Sequence, residues 1–163
     1  MRLMLAPMEG VIDHTMRELL SSLGGVDRCV TEFVRVSERL LPPRVFYRLC
    51  PERYTAGRTA SGVPVYLQLL GGQPQVLAEI AARAAVLGIP GVDLNVGCPA
   101  NPVNRSDGGS ISLRQPERVH ALVAAVRGAV PEGVPVTVKI RLGYEEHSRF
   151  LETVAGIEAA GAS

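Results

Sequence analysis

Tryptophan is absent from the 163-residue sequence, cysteine occurs only three times, and no apolar run is long enough to cross a membrane. The three cysteines, Cys29, Cys50 and Cys98, form no CxxC pair and are odd in number, which argues against a zinc site and against a disulfide framework. Pro7 interrupts the first apolar stretch too early for a signal peptide. We therefore expect a cytoplasmic protein with no membrane partner and no metal.

Charge gives little information about a partner, because the formal net charge is +1 and both signs are spread along the chain. The excess of positive charge that usually marks a nucleic-acid-binding surface is missing. Of the 17 basic residues sixteen are arginine, and Lys139 is the single lysine. With 47% hydrophobic residues the chain can build one core, so we expect one domain or part of one.

Short apolar runs alternate with longer amphipathic stretches along the chain. The runs predict strands over 2–8, 29–34, 63–70, 92–97 and 135–142, and the amphipathic stretches predict helices over 14–24, 73–87 and 116–130. Residues 35–62 are less regular, and we expect a short helix mixed with loop there. Apolar strands separated by crossover helices are typical of a parallel sheet covered on both faces, in a doubly wound fold or a barrel.

Polar residues interrupt these apolar strands on one face. Thr137, Lys139 and Arg141 alternate with apolar residues in the last strand, while Asp93 and Asn95 share a face of the fourth. Because an unpaired buried polar group costs several kcal/mol, about the size of a domain's net stability, we expect a lined site at the carboxyl ends of the strands.

Each of these polar residues also has a purely structural interpretation. Lys139 has Asp93 or Glu32 as a candidate ion-pair partner. Gln68, which interrupts the third strand, and Asn95 have the alternative of satisfying backbone groups of the loops.

The segment GVDLNVGCPANPVNRSDGGS, residues 91–110, ends an apolar strand on a cysteine. A lone cysteine is usually a small buried apolar residue. Here Gly97 and Pro99 flank Cys98, which places the thiol on a rigid loop at the edge of the sheet. Gly108 and Gly109 precede a helix-like segment, where glycine allows the backbone to approach a ligand.

Five stretches together resemble the flavin-dependent tRNA-dihydrouridine synthases. They are LAPMEG at 5–10, TEFVRV at 31–36, VYLQLLG at 65–71, DLNVGCPANPVN at 93–104 with GGS at 108–110, and VTVKIRLG at 136–143. The pairing of LNxGCP with VKxRLG is specific, and TEFVRV is most similar to the branch that acts on uridine 16 of the tRNA D-loop.

The resemblance implies a fold of the α/β class. Residues 1–163 would form the N-terminal part, about five strands, of a (β/α)8 TIM barrel of the FMN-linked oxidoreductase type. The remaining strands and a C-terminal helical tRNA-binding domain would lie outside this chain. The resemblance further implies FMN as cofactor, NADPH as reductant, tRNA as substrate and a monomer when complete.

The resemblance also implies roles for individual residues around the flavin. Pro7, Met8 and Glu9 match positions that border the flavin at the end of the first strand. Gln68 and Lys139 match polar residues that hydrogen-bond to its isoalloxazine ring. A cation there would stabilise the negative charge of reduced flavin.

A second group of matches concerns the acid and the tRNA. Cys98 matches the catalytic acid, Asn95 and Arg141 match residues near the target nucleotide, and Arg35 matches a tRNA contact of the subfamily. Reduction of the uracil C5–C6 bond needs a hydride at C6 and a proton at C5. An ordinary thiol suits the second task because it is mostly protonated near neutral pH and still able to donate. The base would have to leave its stack to reach the pocket.

The sequence departs from the family at Asn101, where a lysine is common, and this puts one phosphate contact in doubt. Two other hypotheses stay open at this point. One is an FMN barrel that acts on free pyrimidines, of the dihydroorotate or dihydropyrimidine dehydrogenase type. The other is an inactive fragment, with two open sheet edges and an exposed apolar inner face.

Overall fold

The computed structural model describes residues 2–36, 41–99 and 108–163. Six strands are described: β1 (Met4–Leu5), β2 (Arg28–Val30), β3 (Val34–Arg35), β4 (Val65–Leu70), β5 (Val92–Asn95) and β6 (Val136–Lys139). The α-helices are α1 (His14–Ser22), α2 (Pro43–Leu49), α3 (Pro74–Val86), α4 (Pro116–Ala129) and α5 (Phe150–Ala159), and two 3₁₀ helices cover Pro51–Thr55 and Gly109–Arg114. None of the described helices is long and apolar enough to cross a membrane.

The strands form one sheet in the order β1-β2-β4-β5-β6, and β3 pairs with β4 off this path. Every strand pairing is parallel. Parallel neighbours that are consecutive along the chain and joined by crossover helices produce a half-barrel, as the alternation of elements predicts.

The core lies between the outer face of the sheet and the helices. Val65, Leu67 and Leu69 of β4 are fully buried there, and Val92 of β5 continues the layer. The helices α3 and α4 supply the opposing side chains: Leu77, Ile80, Ala81, Ala84, Val119, Leu122, Val123 and Val126. Burial of apolar area at about 25 cal/mol per Å² makes this layer the main source of stability.

The strand predicted over 29–34 is two short strands, β2 and β3, that both pair with β4. Thr31 causes the break. Its backbone N–H donates to the Tyr66 carbonyl (2.9 Å), but its Oγ1 accepts the Gln68 backbone N–H (3.1 Å) and donates to the Glu32 carbonyl (2.8 Å). A side-chain oxygen thus replaces a backbone acceptor and interrupts the ladder.

Other boundaries also differ from the predicted ones. The first strand covers only Met4–Leu5, and the last ends at Lys139, so Arg141 lies in the loop that follows. The helix Phe150–Ala159 was not predicted, because its sequence has a run of small residues with weak periodicity. The short helix expected within 35–62 is confirmed as α2.

The expectation of an exposed apolar inner face is wrong for the centre of the sheet. There, Tyr66, Gln68 and Asp93 are buried. At the two ends of the strand order, by contrast, Met4 and Leu142 are exposed.

Candidate active site at the carboxyl ends of the strands

Three buried polar side chains meet on the inner face of the sheet. The strand register aligns Gln68 with Asp93, and Asp93 with Thr137. Gln68 Nε2 donates to Asp93 Oδ2 (2.7 Å), and Thr137 Oγ1 donates to Asp93 Oδ1 (2.6 Å). Each carboxylate oxygen therefore has a donor from a neighbouring strand, which compensates part of its loss of water.

Asn95 connects this cluster to the loop after β5 that carries Cys98, called the cysteine loop below. Its Nδ2 donates to Gln68 Oε1 (2.9 Å), and its Oδ1 accepts the backbone N–H groups of Gly97 and Cys98 (3.0 Å each). The Cys98 carbonyl accepts the Ser110 N–H (2.9 Å), so the start of the loop is held to its return. The position of Cys98 thus depends on a side chain that projects from the end of β5.

The Asp93 carboxyl is the perturbed acid of the site. Burial raises its pKa from 3.8 to about 6, and the hydrogen bonds from Thr137 and Gln68 oppose the rise. The positive charges of Lys139 and Arg28 also oppose it. The group is therefore mainly ionised at neutral pH and acquires a proton in mildly acidic solution.

The three cysteines differ sharply in environment. Cys29 and Cys50 are fully buried, and burial raises the pKa of their thiols to about 11 and about 12. Cys98 is the one with a partly exposed side chain. Only this thiol is available to a bound molecule, as the loop sequence predicts.

Lys139 lies on the strand next to Asn95, as the register of β5 and β6 shows. Its side chain is exposed, and no ion pair among the described residues includes it. The ion pairs considered for it, with Asp93 or Glu32, are therefore not formed, although its charge acts on Asp93. Arg141, two residues further, is also exposed.

The loop after β1 contributes exposed groups at the same edge of the sheet. Pro7 is partly buried, Glu9 is exposed, and Met8 is 59% exposed. The Gly10 backbone N–H donates to Glu32 Oε1 (2.5 Å), so the loop after β2 holds this segment in place. Arg35 of β3 is exposed, with its guanidinium 5.9 Å from the centre of the Phe33 ring.

Two of the predicted site residues have little or no accessible surface for direct contact. Gln68 is fully buried and Asn95 is 8% exposed, and both amides are engaged in the inner network. The roles of Asp93 and Thr137 in this network were not predicted. Strand alternation is the signal that indicated their face, but their partners lie on other strands.

Of the two glycines Gly108 and Gly109, Gly108 has a packing role. A Cβ on Gly108 would lie 3.1 Å from the Gly71 backbone carbon, so Gly108 allows the loop to approach the end of β4. Asn101, the departure from the family pattern, lies outside the described residues.

Comparison with known proteins decides the family. The model of the dihydrouridine synthase family (Dus) matches residues 4–163. The chain belongs to the dihydrouridine synthase family. Relatives of this Dus chain named tRNA-dihydrouridine(16) synthase occur in Vibrio parahaemolyticus (53% identical), Shewanella oneidensis (55%) and Salmonella typhimurium (54%), and each match covers 100% of the chain.

The Dus chain spans about half the length of these relatives, 51% of the first and 52% of the other two. Among solved structures it is similar to a Burkholderia cenocepacia J2315 protein described as a phosphonomutase, at 16% identity. That match has a TM-score of 0.56 and covers 99% of the chain and 66% of the other protein. At this identity the likeness concerns the fold alone. The expected fold class, the N-terminal portion of a TIM barrel, is confirmed by the parallel half-barrel and the family match.

Proposed function

We propose that the complete protein that carries this chain reduces uridine to 5,6-dihydrouridine in the D-loop of tRNA, at position 16, with Cys98 as proton donor. One observation carries the proposal: the partly exposed thiol lies on a loop held by Asn95, at the strand end beside the exposed Lys139. The names of the relatives support tRNA as the substrate and position 16 as the site. They favour this function over reduction of free pyrimidines.

The residues at this edge fit the ring of FMN. Lys139 offers an exposed ammonium without an ion-pair partner among the described residues, and Met8 offers an exposed apolar surface. Both suit a planar ring that becomes anionic on reduction. When bound, and after reduction by NADPH, the flavin supplies the hydride for C6 of the uracil.

Cys98 completes the reduction of the base. Its Sγ–H bond breaks and the proton goes to C5, while the electron pair of the former C5–C6 π bond forms the new C5–H bond. The thiolate that remains is reprotonated from solvent. A positioned acid of this kind contributes about 10²- to 10⁴-fold to the rate.

Arginines on the same edge are suited to hold the tRNA. Arg35 and Arg141 are exposed, and guanidinium groups bind phosphate oxygens and stack on unpaired bases. We assign both to the substrate. We assign indirect roles to the two buried amides. Gln68 supports the flavin site through its hydrogen bonds to Asp93 and Asn95, and Asn95 supports the nucleotide site because it holds the loop that carries Cys98.

The test uses the complete reading frame that contains this chain, called the complete protein below. It is expressed in a bacterial strain from which the native position-16 enzyme has been deleted, and tRNA fragments are analysed by mass spectrometry. We expect dihydrouridine to return at position 16 and nowhere else in the D-loop.

Purified complete protein provides the control for substrate class. We expect NADPH oxidation that depends on unmodified tRNA and is not supported by free uracil or uridine. Oxidation supported by free pyrimidines but not by tRNA would contradict the proposal, as would restoration at a different uridine.

A further inference from the structure

We propose that Asp93 is a positioning residue for Cys98, because its charge reinforces the orientation of the two amides that connect it to the loop that carries Cys98. This inference rests on the proposed function only in treating Cys98 as the acid. Asp93 has no assigned role in the site so far. It contacts neither the solvent-accessible edge nor Cys98 itself, so its effect has to pass through Gln68 and Asn95.

The direction of the hydrogen bonds carries the argument. An ionised carboxylate can only accept, so the amide of Gln68 has to present Nε2 to Asp93 and is left with Oε1 toward Asn95. Asn95 must then present Nδ2 to Gln68. Its Oδ1 is thereby directed to the backbone N–H groups of Gly97 and Cys98. The carboxylate at one end and the two backbone N–H donors at the other thus favour the same orientation of both amides, each of which is nearly symmetric in shape.

The reverse orientation is strongly disfavoured while Asp93 is charged. A flipped Gln68 would bring Oε1 against the carboxylate, and a flipped Asn95 would bring Nδ2 against two N–H donors. Each would leave buried polar groups unsatisfied. A neutral group at position 93 removes the carboxylate's part of this bias, because a protonated carboxyl or an amide can both donate and accept, and only the two N–H donors on Asn95 then maintain it.

The charge state of Asp93 depends on every charged group that acts on it. Lys139 of β6 and Arg28 of β2 favour the ionised form, as do the hydrogen bonds from Thr137 and Gln68, while burial opposes it and raises the pKa to about 6. The charge that supports Asn95 and the Cys98 backbone N–H is therefore mainly present above pH 7 and is lost as the pH falls through 6. If Thr137 only filled space and did not donate to Asp93, its replacement would leave the pH midpoint of this dependence unchanged.

The experiment measures how fast a pyridyl disulfide modifies Cys98 in the complete protein, with peptide mass spectrometry to identify the site. The wild type is compared with Asp93→Asn, Asn95→Ala and the double variant between pH 5 and 8.5. At pH 8.5 we expect Asp93→Asn to react about fivefold faster, the factor that corresponds to one net hydrogen bond. The ratio should fall to one at pH 5, where the wild-type carboxyl is protonated.

The double variant separates positioning from a direct effect of charge. If Asp93 acts through Asn95, then Asp93→Asn changes nothing further once Asn95→Ala is present. If the lost charge acts directly on the thiol, the fivefold factor persists in the Asn95→Ala background, and the proposal is overturned. A ratio that does not vary with pH overturns it as well.

Two threonine variants complete the design. Thr137→Val removes a donor to Asp93 and should move the midpoint of the pH dependence upward. Thr153→Val alters another buried threonine, on α5, whose Oγ1 donates to the Arg149 carbonyl, and should change neither the labelling rate nor the midpoint. Because labelling does not depend on catalysis, failure here is distinguishable from failure of the proposed function.

Discussion

Asp93 is buried but keeps four sources of support: hydrogen bonds from two neighbouring strands and the charges of Lys139 and Arg28. These do not fully replace water, since burial still raises its pKa. A group of this kind lowers stability in return for a defined polar arrangement. That exchange is common where a chain builds a site.

The first prediction concerns the pH dependence of stability. The pKa of the Asp93 carboxyl is near 3.8 in the unfolded chain and about 6 in the fold, so the folded protein holds its proton more tightly. The tighter binding of this proton stabilises the folded protein, and this stabilisation is complete below pH 4. It decreases as the pH rises from 4 to 6 and is lost above pH 6. The total change is about 3 kcal/mol.

Urea titrations of the complete protein and of Asp93→Asn at pH 4, 5, 6 and 7 measure this contribution. We expect the unfolding free energy of the wild type to fall relative to that of Asp93→Asn as the pH rises from 4 to 6. The difference between the two proteins should level off above pH 6. A constant difference would mean that the carboxyl titrates normally.

At the scale of the elements, the Arg17–Glu52 ion pair joins α1 to the 3₁₀ helix Pro51–Thr55. Arg17 is fully buried and donates to both carboxylate oxygens, by Nε at 2.8 Å and by Nη2 at 3.0 Å. It also donates to the carbonyls of Ile12 and Leu49. The pair thus holds the start of α1, directly after the loop that carries Met8 and Glu9.

The second prediction follows from the burial of this ion pair. Arg17→Met leaves the Glu52 charge buried without a partner and should cost about 3–5 kcal/mol, measured by urea unfolding. Adding Glu52→Leu should recover most of the loss. Glu145→Gln, which breaks an exposed pair with Arg114, is the control and should cost less than about 1 kcal/mol. Equal losses in the two single variants would contradict this account.

Two glycines provide the third prediction, with opposite signs. A Cβ on Gly91 would lie 2.5 Å from the Tyr66 ring, which Arg28 covers on one face at 4.0 Å, so Gly91→Ala should destabilise by about 1–3 kcal/mol. Gly128 of α4 has nothing within 4 Å of its Cβ position. Gly128→Ala should therefore stabilise by up to about 1 kcal/mol. Thermal unfolding measures both, and equal signs would be inconsistent with the packing.

Sequence reasoning recovered the elements whose signal is local. Short apolar runs were sufficient to predict β4 and β5, and strand alternation was sufficient for the shared face of Asp93 and Asn95. These patterns did not predict the break at Thr31. That break depends on a hydrogen bond from the Gln68 backbone N–H to the Thr31 side chain, and the two residues are 37 positions apart in the sequence. The connections within the polar network were not predictable for the same reason, since they depend on register between strands distant in sequence.

At the scale of the whole molecule, β4 and β5 are paired on both sides, whereas β1 and β6 stand at the two ends of the strand order. The relatives are about twice as long as the chain, and a closed barrel would pair both ends. Our fourth prediction compares amide hydrogen exchange in the 163-residue chain and in the complete protein. We expect slower exchange at β1 and β6 in the complete protein and little change at β4 and β5. Unchanged exchange at both ends would contradict closure through these strands.

We propose that Cys98 is the acid that completes the reduction of the tRNA uridine. The most direct measurement is the single-turnover rate of dihydrouridine formation by the reduced complete protein, with Cys98→Ala compared with Cys50→Ala, which alters a fully buried thiol. We predict a loss of about 10²- to 10⁴-fold for Cys98→Ala and a near-normal rate for Cys50→Ala. A Cys98→Ala variant that forms dihydrouridine at the wild-type rate would exclude Cys98 as the proton donor.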